Sequence, residues 1–526
     1  MSKIAIAQME VRAGRPDLNA AKMLKFIDDA KLAGAKAIIF PYLAMSGHMV
    51  TKMTKIFSDD REKYIDDIIN ASQEITVVFS GKLRNVMVAQ DGKLIGKNID
   101  LGFFITINNL RFVLNKSRKI TPSNAPLIYV NAVGIEDRGK TIYLHDGSSR
   151  AYNSRGELVF AAESFKEDLY FIDMEQIDSM PKIDEPVETE AAKIYKALHY
   201  GVKTFLEYIG MKKIVIGISG GIDSAVDAAL YTKVLGPENV LLVNMPSVFN
   251  SATTRGLSEQ LAKNLGCNYM VVPIQESVDH TVKQLESIPM TFLADGSNKQ
   301  LEVSSFVREN VQARDRSARI LATLAAVFGG GFTCNANKAE TTVGYATMYG
   351  DSAGVLSALA DLWKHQVYAL AHYFNDEVYG HEVIPQGIID IVPSAELSNA
   401  QNVDEGKGDP LKYPYHDYLF RAFVEENLSP EEILNFYSEG TLEEHIGCEH
   451  GLVKKYFANA EEFIADLERW WGLLNGIAVA KRIQAPPLIA LTDHAFGSER
   501  PEAQNGVYYT RAYKVLKDTL LLNNKK

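Results

Sequence analysis

The stretch Ile214–Ala225 constrains this chain more than any other part of it. The apolar run Lys213–Ser219 reads as a strand, and Ile222 onward reads as a helix. The turn between them is Ser219-Gly220-Gly221-Ile222-Asp223-Ser224. Two adjacent glycines let backbone N–H groups turn inward, and the helix start adds partial positive charge, so the turn suits a pyrophosphate. Ser219 and Ser224 offer hydroxyl donors to phosphate oxygens. A carboxylate is out of place beside phosphates unless it holds a cation, so Asp223 reads as a ligand for Mg2+. A tight turn with an ordinary helix cap would account for the Asp and Ser alone, but not for strand, glycine pair, Asp and Ser together. The turn Ser219–Ser224 is not of the Gly-x-x-x-x-Gly-Lys-Ser/Thr type found in P-loop NTPases.

The surroundings set the fold class. Strand–helix–strand alternation continues through 240–245 and 269–274, which predicts parallel strands with crossover helices. Apolar residues at Val303, Val307, Val311, Ala318, Leu321, Ala325 and Phe328 predict one helix over 303–328, stopped by Gly329-Gly330-Gly331, with a short strand into Asn335. The first 175 residues mix both element types: a strand at 3–9, a helix at 17–34 and an apolar strand at Ala35–Phe40. Shorter β-like runs follow at 75–80, 85–90, 101–106 and 127–133, and two more strands are expected within 141–161. Residues 176–190 are polar with two prolines and read as a linker, followed by a helix at 191–209. The expected organisation is α/β throughout: a domain over 1–175, the linker 176–190, and a second domain over 191–526.

A chain of 526 residues is long enough for two or three cores. Its net charge of −11 argues against a nucleic-acid or lipid-surface binder. Cys267, Cys334 and Cys448 are too scattered for a disulfide framework or a zinc site. With no apolar run of membrane-spanning length and no leader-like N-terminus, a cytoplasmic protein is expected.

The hexapeptide resembles the pyrophosphate loop of the ATP pyrophosphatases, which cleave ATP between its α and β phosphates. Downstream segments resemble the NAD synthetase branch: Glu309-Asn310-Val311-Gln312-Ala313-Arg314, Asn337-Lys338-Ala339-Glu340, Val343–Asp351, Pro393-Ser394-Ala395-Glu396-Leu397 and Lys481-Arg482-Ile483-Gln484. The resemblance runs in order over about 195–500. It implies a Rossmann-like adenine-nucleotide α-hydrolase domain and a carbon–nitrogen ligase that amidates deamido-NAD through an adenylate. It also implies ATP and Mg2+ as requirements and homo-oligomers formed through this domain. The roles it implies are catalytic for Asp223, Glu340 and Lys364, with Mg2+ on Asp223 and Glu340. ATP would be held by Gly217, Ser219, Gly220, Gly221, Asp223, Ser224, Asn335, Lys364 and Ser394. Asn310, Arg314, Glu340 and Lys481 would hold the dinucleotide. The residues fit such roles: Asn310 and Arg314 are four apart, on one helix face, and Arg314 offers a fork for phosphate or carboxylate. Two positions depart from the family pattern, with Asn335 where Thr is usual and Ala480 where His precedes the lysine. Alternatives are the same chemistry on another carboxylate, or a non-catalytic scaffold.

Residues 1–175 resemble the nitrilase-like domain fused to glutamine-dependent NAD synthetases, through Phe40–Gly47, Asn85–Gly92 and Val130–Gly134. That domain needs a Glu base, a Lys and a Cys nucleophile. Tyr42 stands where the Glu should follow Pro41, no cysteine precedes Cys267, and the segment 97–112 that should carry the Lys is short. The expectation is a shortened domain with no glutaminase activity, and ammonia as nitrogen donor.

Overall fold

The structure, a computed structural model, describes residues 3–47, 55–82, 85–96, 102–116, 124–497 and 503–523. The start of the short segment expected at 97–112 therefore lies outside the described residues. The chain forms two compact units, one of 1–205 with 490–493 and one of 206–489 with 494–526.

In the first unit, β1 (Lys3–Gln8), α1 (Pro16–Leu32), β2 (Ala37–Ile39), α2 (Lys55–Asn70), β3 (Thr76–Lys82), β4 (Asn85–Gln90) and β5 (Lys93–Gly96) come in chain order. They are followed by β6 (Phe104–Asn108), β7 (Leu127–Asn131), β8 (Val133–Arg138), β9 (Thr141–Asp146), β10 (Arg150–Tyr152), β11 (Leu158–Ala161) and β12 (Asp168–Asp173). One sheet has the order β12-β1-β2-β3-β4-β5 and a second β11-β10-β7-β6. Alternation along the strands sorts their side chains onto two faces. Ala5, Ala7, Ile38, Val77 and Phe79 meet Met23, Phe26 and Ile27 of α1. Ile4, Ile6, Ile39 and Val78 face the other way, against Ile128, Val130 and Val159 of the second sheet. The result is the layered α/β sandwich that the resemblance implied. Residues 141–161 hold three strands, not two. Gly147 turns the chain at φ 67°, where an added Cβ would lie 2.4 Å from the Gln8 side chain, and the short β10 fits between that turn and the next.

The second unit follows from α3 (Glu190–Tyr208), whose last turn it contains. Its first elements are β13 (Ile214–Gly217), α4 (Ile222–Leu235), β14 (Val240–Asn244), α5 (Ala252–Leu265), β15 (Asn268–Val271) and α6 (Gln275–Ser287). A hairpin, β16 (Met290–Phe292) and β17 (Ser297–Lys299), leads to α7 (Ser305–Arg314), α8 (Ala322–Phe328) and β18 (Gly331–Phe332). The sheet β15-β14-β13-β18 is parallel at every pairing, as the alternation predicted. The helix expected over 303–328 is interrupted: residues 315–321 form a π-helical turn between α7 and α8. Such bulges re-aim side chains and are frequent at functional sites. Gly329 ends α8 in the left-handed conformation. Then come α9 (Lys338–Val343), α10 (Lys364–Tyr373), α11 (Gln386–Asp390) and α12 (Tyr413–Val424), with a mostly helical remainder. In open parallel sheets, ligands bind beyond the carboxyl ends of the strands, and the loops after β13, β14 and β18 meet there.

Candidate active site

The turn after β13 is shaped by its glycines. Gly220 has φ 88°, and a Cβ there would sit 2.4 Å from the Thr254 carbonyl oxygen, so no other residue fits. Gly221 precedes α4 and offers no side-chain cap, which leaves the first N–H groups of a 14-residue helix open to a ligand. Ser224 Oγ donates to Gly221 O at 3.1 Å and lies 3.5 Å from Ser219 Oγ, which accepts from Gly221 N at 3.2 Å. At the mouth of β13, a Cβ on Gly217 would lie 3.0 Å from Met245 Cε and 3.1 Å from Leu321 Cδ1.

Asp223 stands in the first turn of α4 and meets groups from far along the chain. Its Oδ1 accepts from Asn337 Nδ2 at 3.2 Å, and its Oδ2 from Lys364 Nζ, the residue that opens α10. Asn337 also caps α9 in a capping box: Glu340 N donates to Asn337 Oδ1 at 3.1 Å, and Asn337 N to Glu340 Oε2 at 3.3 Å. Glu340 Oε1 accepts from Tyr413 OH at 3.0 Å and lies 4.0 Å from Lys364 Nζ, which sits over the Tyr413 ring. Behind this cluster, the fully buried Lys338 bonds Asp361 and Glu425, both at 2.8 Å, and donates its N–H to Leu362 O. That pairing ties α9 to the start of α10 and so fixes Glu340 beside Lys364.

Burial, and then the Asp223 charge, push the Glu340 carboxyl up to about 8. Burial works against the charge on Lys364, but Asp223 and Glu340 outweigh it and raise its pKa. Two carboxyl groups thus crowd one ammonium in a place with little water. No group of three or more His, Cys, Asp and Glu side chains gathers for a metal among the described residues. A pair of carboxylates fits Mg2+ nonetheless, because that ion is usually held by one or two carboxylates together with substrate phosphates.

The glycine turn, Asp223, Glu340 and Lys364 all line one cavity of about 260 Å³, with Gly217, Asn335 and Ser394. Asn335 Nδ2 donates to Gly217 O at 3.0 Å and its Oδ1 accepts from Thr333 Oγ1 at 2.6 Å, so it fixes the ends of β13 and β18 together. Ser394 donates to Gln401 O at 2.6 Å within its own loop. Asn310, Arg314 and Lys481 do not line this cavity. They converge instead on one neighbouring segment: Asn310 Oδ1 accepts from Thr347 Oγ1 at 2.9 Å, Arg314 Nε donates to Met348 O at 3.1 Å, and Lys481 Nζ to Gly344 O at 2.7 Å. Tyr345, Ala346 and Asp351 of that segment are in the cavity wall.

Several residues at the site were not singled out from the sequence. Arg316 lines the cavity from the π-helical turn. Asp409 accepts from Tyr345 OH and from Ala395 N, both at 3.0 Å. Glu396, in the left-handed region at φ 47°, accepts from Ser251 N at 3.1 Å and Thr254 Oγ1 at 2.7 Å, which pins the Pro393–Leu397 loop to the start of α5. Of these, only Glu396 lay in a matched segment; Arg316 and Asp409 had no signal in the sequence. Asp227, one turn after Asp223 on α4, is fully buried, and burial and then Asp223 raise its carboxyl well above the usual range.

In the first unit, the position after β2 offers different chemistry. Tyr42 is half-buried and its backbone N donates to Asn108 O at 3.2 Å. A cavity of about 2060 Å³ in this unit is lined by no cysteine.

Residues 194–446 match the family model described as NAD synthase. A glutamine-dependent NAD(+) synthetase of Synechocystis sp. is 35% identical over 389 residues, which are 71% of this chain and 60% of that relative. One of Acinetobacter baylyi is 28% identical over 511 residues, 82% of this chain and 90% of that relative. The chain thus spans about three fifths of the Synechocystis relative's length. The fold is shared along nearly the whole chain with a solved glutamine-dependent NAD(+) synthetase of Cytophaga hutchinsonii, at TM-score 0.73, 15% identity and 99% coverage of both chains. It is likewise shared with that of Acinetobacter baumannii, solved with ADP, at TM-score 0.64 and 23% identity, covering 95% of this chain and 98% of the other. No helix among the described residues is long and apolar enough to cross a membrane.

Proposed function

We propose that the protein is an NAD synthetase that amidates deamido-NAD at the expense of ATP and takes ammonia, not glutamine, as its nitrogen donor. The observation that carries the reading is the meeting of the glycine turn with Asp223, Glu340 and Lys364 in one cavity of an NAD synthase domain. A carboxylate is unreactive towards ammonia, so its oxygen first attacks the α-phosphorus of ATP and pyrophosphate leaves. Ammonia then attacks the acyl carbon of the mixed anhydride and AMP departs. The open N–H groups of α4, with Ser219 and Ser224, receive the pyrophosphate charge as it develops. Lys364 supplies a fixed cation beside it. Asp223 and Glu340 would hold Mg2+, which when bound supplies further charge stabilisation to the phosphates. Asn310, Arg314 and Lys481 would act on the dinucleotide through the segment 344–351, whose backbone they hold. The nitrogen-donor reading rests on the first unit: a thioester needs a thiol, and residues 1–266 contain no cysteine.

Two measurements on the full chain test this. Pyrophosphate–ATP exchange should depend on deamido-NAD, and exchange that ignores it would remove the proposed acceptor. NAD should form from ammonium salts, while glutamine as sole nitrogen source should give neither NAD nor glutamate. Coupled appearance of both from glutamine would end the ammonia-only reading.

A further inference from the structure

Two of the side chains that line the nucleotide cavity carry full positive charge, Lys364 and Arg316. Lys364 is engaged by Asp223 and Glu340. Arg316 has no carboxylate oxygen within 4.0 Å among the described residues. Its Nε donates to Met245 O and its Nη2 to Asn250 Oδ1, each at 3.1 Å. Of the five N–H groups of a guanidinium, two are thereby used and three are left without a protein acceptor among the described residues. Asn250 in turn donates to Glu396 Oε2 at 3.2 Å, so the carboxylate aligns the guanidinium through an amide without touching it. Burial lowers the Arg316 pKa to about 10, which still leaves it charged at neutral pH.

Asp351, Glu396 and Asp315 act on Arg316 only from beyond contact distance, and a cation in a cavity wall with unfilled N–H groups is costly unless something anionic completes it. Its place in the cavity says which anion. Gly217, at the end of β13, Met245, after β14, and Leu321, from the π-helical turn, supply apolar wall to this cavity beside the glycine turn. The glycine turn and α4 take the pyrophosphate. Arg316 is anchored on Met245 O in the apolar wall beside that turn, so a nucleotide whose base meets this wall and whose pyrophosphate meets the turn would bring its first phosphate to the guanidinium. We propose that Arg316 binds the α-phosphate of the nucleotide and keeps hold of it through adenylate formation. This rests on the ATP-dependent reading above.

The test compares adenosine, AMP and ATP binding by calorimetry in the full-length wild type, Arg316→Gln and Arg316→Lys, with melting temperatures alongside. Arg316→Gln should weaken AMP and ATP roughly ten- to a hundredfold, as expected for lost hydrogen bonds to a charged group, and leave adenosine unchanged. Arg316→Lys should fall between, because it keeps the charge and loses the fork. An equal loss for all three ligands with a lower melting temperature would make Arg316 a brace for the loop after β14, and overturn the proposal. A loss confined to ATP would overturn the α-phosphate assignment. Wild-type protein that binds none of the three would overturn the ATP reading as well, whereas normal ATP binding by Arg316→Gln would overturn the Arg316 proposal alone.

Discussion

Both units place a loop at the carboxyl end of a parallel strand, β2 in the first and β13 in the second, yet the two loops carry different cargo. After β2 come Phe40-Pro41-Tyr42, with Tyr42 fastened by its backbone to β6. After β13 comes a glycine turn that meets two carboxylates and an ammonium from distant segments. The cores beneath are alike in kind. Ile38, Val77 and Phe79 are fully or almost fully buried in one, as Val215, Val243 and Ile274 are in the other. Burial of apolar surface stabilises a sheet whatever polar residue stands at the strand end. A fold therefore persists when one side chain of a constellation changes, whereas the chemistry does not. The first unit keeps its fold without a cysteine, while the second brings the glycine turn, Asp223, Glu340 and Lys364 into one cavity.

The sharpest way to break this contrast is at Asp223. Asp223→Asn keeps the shape and the bond from Asn337, but removes the charge paired with Lys364 and proposed for Mg2+. Deamido-NAD-dependent pyrophosphate exchange is expected to fall by several orders of magnitude, with the melting temperature nearly unchanged. Undiminished turnover would remove Asp223 from the chemistry proposed for the second unit.

A smaller effect is expected from Glu340, read through stability. Its folded pKa of about 8 lies above the ordinary carboxyl value of 4.5, so the folded protein holds a proton that the unfolded chain releases between those values. The stabilisation this gives is complete below about pH 4.5 and is lost as pH rises through about 8. Ligand-free protein should lose up to about 1.4 kcal/mol per pH unit from this group across that window, and Glu340→Gln should lack that component. Denaturation of both proteins at several pH values between 5 and 9 checks it. Parallel profiles would mean that Glu340 enters the site already ionised.

How much of this could be read beforehand depended on range. The strand, turn and helix around Asp223 are local, and the expected strand Lys213–Ser219 brackets the observed β13. The parallel sheet followed from element alternation alone. The union of Asp223 with Lys364, 141 residues away, has no local signature, and only the family order of the motifs placed them together. Arg316 was invisible for a different reason. On one uninterrupted helix it lies two residues from Arg314 and so on another face, and nothing in the apolar spacing marks the π-helical turn that carries it. The same limit applied to Asn310, Arg314 and Lys481: side-chain type suggested anionic ligands, while their partners in the fold are a hydroxyl and backbone carbonyls.

The smallest effect is expected from the first unit itself, at Tyr42→Glu. This restores a carboxylate at the position that follows Phe40-Pro41, and the backbone bond from residue 42 to Asn108 O does not depend on the side chain. The cost is the packing of one half-buried ring, about 1 kcal/mol. A base alone cannot make a thioester, and the cavity of this unit is lined by no cysteine. Glutamate release from glutamine should therefore stay at background in the variant, and the ammonium-dependent rate should match the wild type. The two readings separate two possibilities that a silent wild type leaves merged. If Tyr42→Glu begins to release glutamate, the unit already holds a nucleophile other than cysteine and lacks only its base, so the contrast between the units is one residue deep. If it stays silent while the synthetase rate is kept, at least two parts of the constellation are missing, and the first unit is maintained by its packing alone.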